Sequence, residues 1–396
     1  MTSRHPLSSF VPRQPAEWMP ARVVLLCEPD AETLFSILHT SAANFLRPFS
    51  LAKARDEHRA YRHLLETHGA HVIDLRALLA QADRAALIAW ARQATALDFD
   101  PALRAEERAE VQAQLEAGLQ MLDADSLVDV LMLRPTLHVA HSADALDPTT
   151  RYSTRFSLAP LSPHYVRDTL MTTSAGVVIT RLKLASRSAE NELAAYALEV
   201  LGIQPIYRVQ PPGTLEGGDF IPCGDFVFQG QGLLTNEEGV RQCLEHGVYG
   251  HVEVAVVETP AQGMDEMHLD TYFAMLDRDL AICLDDRLAG DAEPAVRVYL
   301  PQGTRTVTYT LARTVLFSCY LAEKGIQVIP ISKAEQALFA ANVLTIGPRK
   351  VIAAKQAGAA FFQRLRGFGV DVYPVDFEAL SGGYGGPHCA SQVLLR

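Results

Sequence analysis

Four stretches of the sequence gather reactive side chains in glycine-containing or strand-ending surroundings. They are "PHYVRDTLMTT" with Asp168, "TLEGGDFIP" with Glu216 and Asp219, "MDEMHLDTYF" with His268 and Asp270, and "GGYGGPHCAS" with Cys389. Cysteine attacks as a thiolate, which needs positive charge, hydrogen-bond donors or a helix N-terminus beside it. The glycines before Cys389 let backbone N–H groups come close. A histidine elsewhere can protonate a leaving group and then activate water, and His268 is the best placed. "MHLDTYFAML" alternates apolar and polar residues, which predicts a strand with His268, Asp270 and Tyr272 on one face. His388, adjacent to Cys389, is expected to point elsewhere. The four acids make poor company for a thiolate unless the substrate brings the compensating charge. A planar guanidinium does so, because it pairs bidentately with carboxylates and its carbon is the electrophile.

Each stretch also has a structural explanation. Arg167-Asp168 reads as a surface ion pair, "EGGD" as a tight turn, "HLD" as a structural histidine, and the glycine-rich end as a mobile terminus. Taken singly these readings win; four such stretches together favour a site. A metal centre is the other joint reading. It lacks short ligand spacings, and hard carboxylates mix poorly with one soft thiolate, so chemistry without metal or cofactor is expected.

These residues must be positioned by a chain of 396 residues, long enough for a large core. Its 48% hydrophobic and 20% charged residues are ordinary for a globular protein. A net charge of −11 argues against nucleic acid and favours cationic ligands. No apolar run is long enough to span a bilayer, and no apolar segment follows Arg4 and His5. A cytoplasmic protein without a membrane partner is expected. Oligomeric state, a homo-oligomer included, is left open. Six scattered cysteines suggest neither a disulfide framework nor a zinc ribbon. Cys27, Cys223, Cys243, Cys283 and Cys319 are expected to be buried and inert, with Cys389 the exception.

An internal repeat organises the chain. A helix-like stretch, a glycine and a short β-rich run recur at "YRHLLETHGAHVIDL", "LAAYALEVLGIQPIYRV", "VRQCLEHGVYGHVEVAVVE", "SCYLAEKGIQVIPIS" and "FFQRLRGFGVDVYPVDF". Gly69, Gly202, Gly247, Gly325 and Gly369 are predicted helix C-caps in the left-handed conformation. The repeat suggests five modules about an axis, and a doubly wound α/β sheet is its alternative. From about Leu78 to Leu133 the chain is rich in Ala, Leu, Glu, Gln and Arg, which predicts a helical insertion packed on the main body. Asp100-Pro101 is predicted to break it, with Asp100 as N-cap.

The ordered set "YVRDT", "LEGGDF", "MHLDTYF" and "GGYGGPHC" resembles the guanidino-group-modifying enzymes, the arginine deiminase and amidinotransferase superfamily. The resemblance runs from "PARVVLLCEPD" to the terminal cysteine. The helical insertion and the "GGP-x-C" ending are similar to those of arginine deiminases in particular. The resemblance implies a five-module α/β propeller (pentein) as the catalytic domain, residues 1–77 and 134–396, with 78–133 as the helical insertion. It implies Cys389 as nucleophile, His268 as general acid and base, and Glu216 beside His268 and a substrate nitrogen. Asp168 and Asp270 would grip the guanidinium, and Asp219, grouped with the substrate-binding acids, would support the "EGGD" turn. The implied reaction is hydrolysis of a guanidino compound through an amidino-thioether on Cys389.

The sequence departs from the family where free arginine's carboxylate would bind. An expected Asn upstream of "RD" is replaced in "LSPHYVRD", with Ser162 or His164 near the place. An arginine expected after the "EGGD" strand meets Asn236, and another, shortly before the nucleophile, meets Tyr384. Arg187 survives from that clamp, and Arg241, Arg151 and Arg155 are candidates to rebuild it. A guanidino substrate is implied; free arginine is not. An amidinotransferase would share every catalytic residue, and a non-catalytic guanidino-binding relative is the third reading. The insertion and the tail favour hydrolysis.

Overall fold

The computed structural model describes residues 10–142, 151–158, 161–259, 263–303 and 307–396. Its mixed α/β sheets repeat one local pattern: a strand pairs antiparallel with a middle strand, whose other edge pairs parallel with a third. The C-terminal strand Gln392–Leu395, Val23–Leu26 and His71–Asp74 form one such unit. Leu170–Thr172, Val177–Ile179 and Tyr207–Arg208 form the next. Phe220–Pro222, Phe226–Gln231 and Glu253–Glu258 follow, then Phe273–Asp277, Leu280–Leu284 and Gln327–Ile331. Leu344–Gly347, Lys350–Ala354 and Asp371–Val375 complete the series.

In each unit a helix bridges the middle and third strands and ends at a predicted glycine. Gly69, Gly202, Gly247, Gly325 and Gly369 have φ of +87, +68, +62, +68 and +73. Space is open around a Cβ at Gly69, Gly202 and Gly325, so the left-handed backbone is what demands glycine there. Two insertions lengthen the spacing. The hairpin Ala295–Gln302/Thr308–Leu316 extends the third unit's sheet to five strands. The other lies between the first and second units. It holds the helices Arg84–Ala94, Ala105–Met121 and Ala124–Leu133 and also a strand, Ala96–Phe99.

That strand corrects the wholly helical expectation for 78–133. It pairs parallel with Thr136–His141, which pairs antiparallel with Tyr152–Ser157, and cross-strand partners override local propensity. Asp100 caps no helix either; its Oδ1 accepts the Ala102 N–H in a turn, and the next helix opens at Ala105. The insertion packs on the main body, with Trp90 stacked on Tyr196 at 4.3 Å.

The reactive residues all fall in the turn that leads into the first strand of a unit. Asp168 precedes Leu170–Thr172, Glu216 and Asp219 precede Phe220–Pro222, and His268 and Asp270 precede Phe273–Asp277. Cys389 precedes Gln392–Leu395. Packing fixes these strands: Phe228 meets Phe273 and Phe317 edge-on at 5.1 and 5.7 Å, each such pair contributing about 0.5–1.5 kcal/mol beyond burial. The C-terminus is held with equal care. Arg396 is buried, bonds Glu17 at 2.6 Å, and donates to the carbonyls of Met19 and Thr345. Four of the five remaining cysteines are buried as expected; Cys319 is exposed, on the outward side of the helix Phe317–Glu323. Among the described residues no helix is long and apolar enough to cross a membrane.

Candidate active site

Asp168 sits in a single 3₁₀ turn, Val166–Thr169, closed by the Thr169 hydroxyl on the Val166 carbonyl. Arg167 is no surface ion-pair partner. It is buried, its backbone N–H donates to the Cys389 carbonyl at 3.2 Å, and its Nε donates to the His388 carbonyl at 3.2 Å. The "RD" pair thus clamps the Cys389 loop with one residue and presents an acid with the next. Asp168 Oδ2 accepts from Arg187 Nη1 at 2.9 Å; Oδ1 accepts no hydrogen bond from a described residue and lies 3.7 Å from His268 Nδ1.

The "EGGD" turn brings the next acid against the histidine. A Cβ on Gly217 would overlap the carbonyl oxygens of Arg167 and Leu170, and one on Gly218 would lie 2.7 Å from His268 Nδ1. Here glycine is required by close approach. Glu216 Oε2 takes a hydrogen bond from His268 Nε2 at 3.0 Å, and Oε1 one from the Lys183 backbone at 3.0 Å. Asp219 is not among the residues that line the cavity, and it ties turn to turn by accepting the Leu269 N–H at 2.8 Å.

His268 and Asp270 do not lie on a strand, contrary to the alternating pattern. His268 precedes a 3₁₀ turn, Leu269–Thr271, pinned by the Thr271 hydroxyl on the His268 carbonyl. The strand begins only at Phe273, and Tyr272 points into the core, where its hydroxyl meets Thr259 at 2.7 Å.

Cys389 lies in a turn, and its thiol donates to Asp270 Oδ2 at 3.4 Å. His388 does not point away, because the backbone here is not extended. Its Nδ1 donates to the same oxygen at 2.7 Å, and its Nε2 lies 3.5 Å from Glu17. Asn342, which no sequence motif marks, fixes the loop. Its Oδ1 accepts the N–H groups of Gly386 and Cys389 at 3.0 and 3.2 Å; its Nδ2 donates to Cys389 Sγ and the Asp270 carbonyl, both at 3.1 Å. Asn342 leads into Leu344–Gly347, the first strand of the remaining unit. Its register in the repeat is the one sequence signal that points to it.

The charges explain one another. Burial alone would push His268 down, but Asp168, Glu216 and Asp219 outweigh it and lift its pKa to about 10. Burial raises Glu216, and its bond to the His268 imidazolium brings it below its ordinary value. Burial likewise raises Asp270, and the His388 bond reverses the shift. Burial raises Asp168 against the pull of His268 and Arg187, and lifts Asp219 to about 6. Asp168, Glu216 and His268 lie close enough to hold a cation. Both ring nitrogens of His268 face these acids, so the imidazolium is the cation that suits the cluster.

Burial, then Asp270 and Asp168, push the Cys389 thiol well above its ordinary range, against the Asn342 hydrogen bond. Cys389 is therefore held as a thiol in the cavity that the His268 imidazolium also lines. Iodoacetamide should label Cys389 slowly at neutral pH, with a rate still rising above pH 9, as peptide mass mapping against exposed Cys319 would read it. A rate that levels off below about pH 8 would contradict this charge arrangement.

The family model for arginine deiminase matches residues 44–396. The chain belongs to the arginine deiminase family. The arginine deiminase of Halobacterium salinarum is 25% identical, over 96% of this chain and 96% of its own length. Dimethylarginine dimethylaminohydrolase from Pseudomonas aeruginosa, complexed with citrulline, superposes with a TM-score of 0.55 at 17% identity, over 94% of this chain and 99% of that one. The product-bound N-terminal domain of ArgZ, a cyanobacterial arginine dihydrolase, gives 0.57 at 12% identity over 94% and 97%. As a member of this family the chain is a hydrolase acting on carbon–nitrogen bonds of amidines.

In this arginine deiminase family member the cavity is lined by Asp168, Arg187, His268, Tyr384 and Cys389, among others. Tyr384 has φ +81, a conformation costly for a bulky side chain. Asn236 is placed differently. It is the N-cap of the helix Glu237–Glu245, accepting from Gly239 N–H and Thr214 N–H and donating to the Pro212 carbonyl, outside the cavity lining. Ser162 lines the cavity, while His164 is buried beside Phe45 and Tyr165, where burial depresses its pKa to about 3. None of the arginines considered as replacements reaches the cavity. Arg241 pairs with Glu238 and Glu245, Arg151 with Glu107 and Glu110, and Arg155 is exposed on Tyr152–Ser157.

Proposed function

We propose that the chain hydrolyses a guanidino compound to a ureido product and ammonia through a covalent intermediate on Cys389. The observation that carries this reading is the convergence, on one cavity, of the Cys389 thiol, the His268 imidazolium and the Asp168 carboxylate, with Asp270 bonded to the thiol and Glu216 to the imidazole. Oδ1 of Asp168, which lines the cavity, and Oδ1 of Asp270, whose other oxygen meets the Cys389 thiol, take no hydrogen bond from a described residue. A guanidinium offers N–H donors to both, and its charge offsets the acids that suppress the thiolate. With that charge in place the Cys389 thiol gives up its proton to Asp270 Oδ2, the oxygen it already donates to. Sγ attacks the guanidinium carbon, and His268 protonates the nitrogen that leaves as ammonia. Water, giving its proton to His268, attacks the resulting amidino-thioether carbon, and the thiolate departs as the ureido product forms. Glu216 keeps the imidazole oriented throughout, and Asp219 holds the two turns together.

In the same proposal the five units surround a pseudo-five-fold axis and their leading turns meet at its centre. Residues 1–77 and 134–396 make up the catalytic domain, with 78–133 as the insertion. The equivalence of the five strand patterns supports it. Acid quenching during turnover, followed by intact mass measurement, tests the chemistry. An amidino adduct on the Cys389 peptide, with release of ureido product, is the expected result. Turnover with no adduct on Cys389, or adduct decay only when an acceptor amine is added, would overturn it.

A further inference from the structure

The outer part of the cavity bears on what the guanidino group is attached to. Beyond the acids it is lined by Leu184, Leu234, Met264, Met267 and Tyr384, which carry no charge. Apart from His268, Arg187 is the one cation among the described lining residues, and each of its three nitrogens already meets a carboxylate, so its charge is compensated. Its Nη2 bonds Glu190 Oε2 at 2.7 Å, its Nε lies 3.1 and 3.2 Å from the two Glu190 oxygens, and its Nη1 bonds Asp168. Glu190 is itself buried and takes the Ser162 N–H at 2.7 Å, so this fork is part of the frame. The nearby lysines are engaged as well. Lys183 Nζ donates to the Leu233 carbonyl at 2.5 Å, and Lys333 pairs with Asp265 and Glu266.

A ligand carboxylate here would face Asp168 and Glu190 with no unpaired cation among the described lining residues to meet it, and like charges brought together at a binding site discriminate strongly. We infer that the substrate is an alkylguanidine whose far end carries no carboxylate, being neutral or cationic. This rests on the proposed guanidino hydrolysis. In this reading the pairing of one buried arginine leaves a ligand carboxylate without a counter-charge.

Three probes on the wild-type protein isolate the carboxylate: agmatine, L-arginine amide and L-arginine. The expected result is a kcat/KM at least about tenfold higher for agmatine and for the amide than for arginine, with most of the difference in KM. A preference for arginine over its own amide would overturn the inference while leaving guanidino hydrolysis intact. No turnover and no Cys389 adduct with any of the three would overturn the proposed function itself. Glu190→Gln supplies the second reading. By releasing Arg187 from half of its pairing, it should narrow the amide-to-arginine ratio by about threefold or more. A ratio unchanged in a folded variant would count against Arg187 neutralisation as the cause.

Discussion

Cys389→Ser is expected to lower the rate of ureido product formation by about four orders of magnitude or more, the loss typical of removing a nucleophile from a coupled site. A hydroxyl ionises far less readily than a thiol, and this pocket already disfavours the anion, since burial, then Asp270 and Asp168, raise the Cys389 pKa. The fold should not suffer. Asn342 Nδ2 can donate to a serine oxygen, and the serine hydroxyl can donate to Asp270 as the thiol does. Guanidinium binding should persist, because the acids that would grip it are untouched. Agmatine should therefore still raise the melting temperature of the variant while turnover disappears. Residual turnover within about tenfold of wild type would remove Cys389 from the chemistry.

Much of this site is written locally in the chain. The glycines that end helices are legible because a left-handed C-cap leaves a local signature, and all five adopt it. The acids, the histidine and the cysteine are legible because their residue types are rare together in glycine-rich turns. Asn342 is not, since a single Asn in "AANVLTIG" acquires its role only when the chain's C-terminal loop folds over it. The "MHLDTYF" stretch misleads for a related reason. Its alternation mimics a strand, but the Asp219 carboxylate captures the Leu269 N–H and the Thr271 hydroxyl closes a turn, both side-chain bonds that no period of two encodes. Asn236 is the opposite case. Asn followed by two glutamates before an apolar run is an N-cap signal, and resemblance to a family motif obscures it. His388 shows how a backbone assumption propagates: a turn in place of an extended segment puts neighbouring side chains on the same acid.

The second large effect is expected at His268. His268→Gln keeps a side-chain amide able to donate to Glu216 but removes the proton carrier, so kcat should fall by about 10²–10⁴, the range general acid–base catalysis supplies. The pH profile separates this from a loss of positioning. In the wild type the imidazolium persists up to about 10, because three carboxylates outweigh its burial. As pH rises through that value the proton donated to the leaving amine is lost, so log kcat/KM should bend downward there. The substrate guanidinium itself stays charged across this range. In the variant the bend should be absent and the residual rate should continue to climb with the thiolate fraction. A fall in kcat with the bend retained would assign the proton to another group. His388, the other imidazole within reach of Asp270, would then be the residue to replace next.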